Sequence, residues 1–178
     1  MAPVMGRVYL TPHLSYALIY AIGGDFAGSS PPPKEFTEEP FGFVFAVPSD
    51  ALTDLQPDED SIGEMVQVAS EPIETQRKFY PDLAGKIPVW LSYFAERHLT
   101  PRQLSKVLEG EVAYYASAGK RLVKMMSPRQ MQEIIDAGAH VANEGIVRPS
   151  SCWKVEKARS AEMKRDGSNF FEIATPYR

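Results

Sequence analysis

Residues 6–24, GRVYLTPHLSYALIYAIGG, change their periodicity halfway along. From Arg7 to Thr11 the pattern alternates, with Val8 and Leu10 on one side and Arg7, Tyr9 and Thr11 on the other, which predicts a strand. Thr11-Pro12 then opens a helix, because threonine caps exposed amides and the fixed φ of proline suits a first turn. Leu14, Ala17, Leu18 and Ala21 recur at helical spacing, and Gly23-Gly24 provides the stop. A strand running straight into a helix marks a mixed α and β architecture.

Asp25 to Pro40 is rich in Gly, Ser and Pro and reads as a long, mobile surface loop. Phe41 to Val47, FGFVFAV, is almost wholly apolar, as expected of a strand buried on both faces. Pro48 to Asp60 reads as loop and ends in the acidic run Asp58-Glu59-Asp60. Ser61 to Ser70 is a short helix, and Ile87 to Arg97 another, with Val89, Trp90, Tyr93 and Phe94 as a core-facing stripe. Thr100-Pro101 repeats the cap-plus-proline signal and starts a helix that runs to about Leu108.

Glu111 to Ala116 and Arg121 to Met126 read as two strands joined through Ser117-Ala118-Gly119-Lys120, a hairpin-like turn. Ser127-Pro128 caps a further helix, with Met131, Ile134 and Ile135 inward and Gly138 near its end. Trp153 to Val155 and Phe170 to Ala174 are late strands, with the charged segment Glu156 to Gly167 as a loose helix between them. The expected fold is one α+β domain over residues 1–178. It has a mixed or antiparallel sheet of short strands with several helices, a mobile loop at 25–40 and a C-terminal extension at 143–178.

With 19 basic and 23 acidic residues, the formal charge is −4, which gives no global pull toward nucleic acid or anionic membrane. Lys120, Arg121 and Lys124 are the one tight basic cluster. A single cysteine rules out an intramolecular disulfide and suits a reducing compartment. No run approaches the length of a membrane span, and the first residues lack the pattern of a signal peptide. The expectation is a soluble protein, cytoplasmic or delivered into a host cytosol.

Tyr9 on the strand and Tyr20 near the end of the following helix can flank a slot for a flat ligand, with Tyr16 one turn earlier extending the wall. This arrangement resembles the nicotinamide pocket of the ADP-ribosyltransferase superfamily, especially its poly-ADP-ribose polymerase-like branch. In that pattern a glycine, two residues and Tyr-Phe-Ala end a strand, and Ala-x-Tyr-Cys or a close variant follows across a short helix. Gly6, Tyr9 and Tyr20 fall in step with it, and FGFVFAVPSDAL resembles the family's next core strand. The resemblance implies NAD as substrate, with Tyr20 stacking on nicotinamide and Tyr9 lining the pocket. The serine that bonds the nicotinamide amide falls at Ala17, so that contact is lost or shifts to Ser15.

The family also places a glutamate at the start of a late strand, where it stabilises the positive charge that develops as nicotinamide leaves. Glu111, leading into EVAYYAS, is the first candidate; Glu109 makes an E-x-E spelling that pairs a second acid with it. The family's first strand, carrying His-Gly or an arginine, has no counterpart before Gly6. Arg7 and His13 are near but out of step. The implied activity is cleavage of NAD with transfer of ADP-ribose to a protein acceptor. The alternative is a non-catalytic module on the same scaffold that binds a protein partner or a nucleotide, and a third reading is an accessory effector of unrelated fold.

Other features have plain structural readings. Asp58 to Asp60 supplies oxygen ligands for a cation but lacks the spacing of a calcium loop, so it reads as a solvated acidic loop. Cys152, in Ser-Ser-Cys-Trp, is similar to the Cys-Trp pair of papain-like proteases. All three histidines, His13, His98 and His140, precede it, and that order fits an idle thiol instead. No histidine pair has metal spacing and no metal site is expected.

Overall fold

A computed structural model of the chain describes residues 7–22, 41–53, 55–144, 147–156, 159, 162 and 168–177; the side chains of Arg7, Ser15, Ile19, Tyr20 and Ile22 lie outside that description. The expected helix stop at Gly23-Gly24, the Asp25 to Pro40 loop and most of Glu156 to Gly167 also fall outside the described residues. The elements run β1 (Arg7–Leu10), α1 (Leu14–Ile22), β2 (Phe41–Ala46), a 3-10 turn (Ser49–Ala51) and β3 (Leu55–Pro57). Then come α2 (Glu59–Ser70), α3 (Ile73–Phe79), α4 (Trp90–His98), α5 (Pro101–Leu108), a 3-10 turn (Val112–Tyr114), α6 (Tyr115–Val123) and α7 (Pro128–Asp136). The chain continues through β4 (Val141–Glu144), β5 (Ser151–Glu156), α8 (Phe170–Ile173) and β6 (Ala174–Pro176). Among the described residues, eight helices with two small antiparallel sheets of three strands make an α+β fold. The described residues divide into two compact units, Leu55–Ala142 and the segments on either side of it.

The Leu55–Ala142 unit is built around α2. Its Ile62, Met65, Val66 and Val68 are fully buried, joined by Leu91 and Ala95 of α4, Val107 of α5, Ala118 and Leu122 of α6 and Ile134 of α7. Helix α6 lies so close to α2 that a Cβ at Gly119 would sit 1.8 Å from the Glu59 carbonyl oxygen, and one at Gly63 would sit 2.5 Å from the Tyr115 Cα. The two glycines are the points where the backbones meet.

This is the main correction to the sequence reading. Glu111 to Ala116 and Arg121 to Met126 are a 3-10 turn and a helix, not a hairpin. Tyr115, Ala118, Gly119 and Leu122 stand at i, i+3, i+4 and i+7 and are all buried, so burial follows the helical period. Gly119 serves close approach between helices rather than a turn.

Two of the three cap-plus-proline starts hold as expected. At Thr11-Pro12 the helix instead begins at Leu14, with the His13 carbonyl accepting its first bond from the Ala17 amide. Thr100 Oγ1 accepts from the Gln103 amide at 3.2 Å while Gln103 Oε1 accepts from the Thr100 amide at 3.3 Å. Ser127 and Gln130 repeat this reciprocal pair at the start of α7. Gly138 follows that helix with φ of 103°, the left-handed position that ends many helices. Helix α3 has no counterpart in the sequence reading.

In the other unit, β2, β5 and β6 form an antiparallel sheet in that order. Gly42 pairs with Val155 and Val44 with Trp153, and this face packs on Leu18 of α1 and Phe170 of α8. Phe41, Phe43 and Phe45 stand on the opposite face, where Phe45 is 57% exposed. Strand β2 is therefore buried on one face, not two; its phenylalanines hide an ordinary alternation. Phe170 to Ala174 is likewise corrected: a short helix precedes a strand that begins at Ala174. Residues of the expected extension at 143–178 supply β5 and β6, the partners of β2.

Candidate functional site

Tyr9 lies on β1 and is 37% exposed, and Val8, expected on the other side of the strand, is equally open. The Thr11 hydroxyl accepts from the His13 amide at 3.1 Å, fixing the turn into α1. Tyr16 is half-buried, with its ring 5.9 Å from that of His13. Ser15 and Tyr20 lie on α1, but their side chains are outside the description.

Glu109 and Glu111 are brought together, by Lys106. Its Nζ lies 2.9 Å from Glu109 Oε2 and 2.6 Å from Glu111 Oε1, and the Ser105 hydroxyl donates to Glu109 at 2.6 Å. The Ser105 bond, then Lys106, holds the Glu109 carboxyl below the usual range. The bonds to Glu111 and Glu109 raise Lys106. Glu111 precedes a helical turn instead of opening a strand, and both acids are exposed. The tyrosines belong to one compact unit and the glutamates to the other.

Asp58 to Asp60, expected in a solvated loop, are half-buried around the start of α2. Burial first, then the charge of Asp60, pushes Asp58 up to about 6. Among the described residues, no group of three His, Cys, Asp or Glu side chains is placed to hold a metal ion. Cys152 is a half-buried free thiol on β5. No helix among the described residues is long and apolar enough to cross a membrane.

A different feature emerges from α4. Leu91 and Ala95 carry its buried face, with Trp90 and Phe94 flanking them; the Trp90 indole donates to Glu133 at 2.7 Å. Val89 and Tyr93, expected in the core stripe, are 80% and 68% exposed. With Ser92 and Glu96 they stand at i, i+3, i+4 and i+7, Val89 as the cap residue just before the helix, and mark a second face of α4. That face borders two recesses of about 310 and 280 Å³ that share Ala69, Ser92 and Tyr93. The first is closed by Ile73 and Ile87, the second by Val66, Leu104 and Leu108. Among the described residues, Glu96 is the one charged residue lining either recess.

The signal for this groove was present in the sequence as an apolar arc on α4 wider than one core contact requires. Its far wall, α3, gave no such signal. Compared with protein-family models, curated proteins and solved structures, the chain matches none.

Proposed function

We propose that this chain is a binding module, not an enzyme, and that the α2–α3–α4–α5 groove is its partner site. The observation that carries this reading is the exposure of Val89 and Tyr93 beside two adjoining apolar recesses. Contiguous exposed apolar surface of this kind marks interaction sites, because covering it removes apolar area from water. The partner is a protein. A photo-crosslinking benzoylphenylalanine placed at Tyr93 tests the reading in cells, with the same group at the exposed Arg129 as control. The expected result is a discrete adduct at Tyr93 only, lost when Val89→Asp is added. Equal labelling at both positions, or none at Tyr93, rejects the groove as a partner site.

The transferase reading keeps one specific observation in its favour. The order β1–α1–β2 matches the family's strand, helix and core strand, and α1 packs directly on β2 at Ala21 and Gly42. Under that reading NAD is the substrate, Tyr9 and Tyr20 hold nicotinamide and Glu111 stabilises the departing centre. Its support is thinner, since Glu111 precedes a helical turn and is engaged by Lys106. Release of nicotinamide from NAD, lost in Glu111→Ala, establishes turnover. Without turnover, and with no thermal shift on adding NAD, nicotinamide or ADP-ribose, the binding-module reading stands.

A further inference from the structure

We infer that the groove's occupant is an amphipathic helix of a partner protein, carrying a lysine or arginine that meets Glu96. The inference rests on the binding-module reading and adds the chemistry of the partner. Every residue lining the two recesses belongs to a helix or to the 85–89 connection. Among the described residues no sheet edge borders the groove, so an extended segment would find no row of free backbone groups there to pair with. A helix satisfies its own backbone and needs only apolar side chains at successive turns, which is what two adjoining recesses accept.

Glu96 sets the polarity. Its carboxylate makes no hydrogen bond or ion pair with any described residue, and no cation among the described residues lines either recess. Bringing an apolar helix over the groove removes water from this carboxylate, which costs free energy unless a cation replaces that water. A basic side chain on the helix supplies that partner. An acidic one places like charges side by side and is rejected.

The test uses the full chain and a phage-displayed library of helix-patterned peptides with randomised apolar and charged positions, counter-selected on Tyr93→Asp. The expected outcome is enrichment of apolar residues at helical spacing with Lys or Arg at one fixed position. On Glu96→Lys, that position should change to Asp or Glu. For a selected peptide, replacing its basic residue with glutamate should weaken binding about tenfold or more on the wild-type chain, and strengthen it on Glu96→Lys. Enriched peptides with no charge preference, or with proline-rich extended patterns, overturn the inference and leave the groove reading intact. An empty selection also overturns it, and the Tyr93 crosslink then decides separately whether the groove binds a protein at all.

Discussion

Gly119 faces the Glu59 carbonyl so closely that no side chain fits between them: a Cβ there would lie 1.8 Å from that oxygen. Replacing a mid-helix glycine with alanine usually stabilises by about 0.5–1 kcal/mol, because the unfolded chain loses freedom. Here the sign reverses, since α2 or α6 must move. Gly119→Ala is expected to cost about 3 kcal/mol, the upper range of overpacking. Urea unfolding followed by Trp90 fluorescence measures it. A neutral or stabilising result would restore Gly119 to the turn role that the sequence suggests.

That glycine shows why some of the fold was legible and some was not. Thr100-Pro101 and Ser127-Pro128 located two helix starts to the residue, because a cap is local chemistry written in four consecutive positions. Residues 111–126 offered valine, tyrosine and methionine around a glycine, a composition that suits strand and helix equally. What decides between them is α2, distant in sequence, against which Tyr115, Ala118, Gly119 and Leu122 are buried together. The site followed the same division. The paired acids were visible, yet their common partner Lys106 depends on the turn between α5 and α6. The exposure of Tyr93 depends on where α2 and α5 stop covering α4.

The helix caps allow a direct check. Thr100→Ala and Ser127→Ala each remove a hydroxyl that accepts a first-turn amide, and each is expected to cost about 1 kcal/mol. Thr100→Ser and Ser127→Thr, which keep the hydroxyl, should restore most of it. Chemical unfolding of the four variants measures both effects. Equal losses in the conservative and the alanine variants would place the effect elsewhere than in the cap.

Asp58 makes stability depend on pH in an unusual direction. Burial first, then Asp60, raises its carboxyl to about 6 from an ordinary value of 3.8. Between those values the folded chain holds a proton that the unfolded chain has released, so stability falls as pH rises through the window. The whole shift would correspond to about 3 kcal/mol, and solvent screening of this partly exposed group reduces it to about 1–2 kcal/mol. Asp58→Asn keeps a good N-cap residue and removes the titration. Its advantage over the wild type should therefore grow from pH 4 to pH 7. Parallel stability curves for the two proteins would contradict this origin.

The one-sided burial of β2 can be separated from the two-sided alternative by a pair of substitutions. Gly42 meets α1 so closely that a Cβ would lie 1.6 Å from the Ala21 carbonyl oxygen, which leaves Gly42→Ala nowhere to go without lifting the helix. Phe45, three residues on, faces the opposite side, with more than half its surface open. Gly42→Ala is expected to cost about 3 kcal/mol by overpacking. Phe45→Ser should cost about 1 kcal/mol or less, as surface changes do. A strand buried on both faces predicts the reverse emphasis, with loss of the phenylalanine costing about 3–5 kcal/mol through the cavity it leaves. Trp153 pairs with Val44 in this sheet, so its fluorescence reports the same unit during unfolding. The ratio of the two effects matters more than either size, because a severe Phe45→Ser would mean that some segment covers the aromatic face.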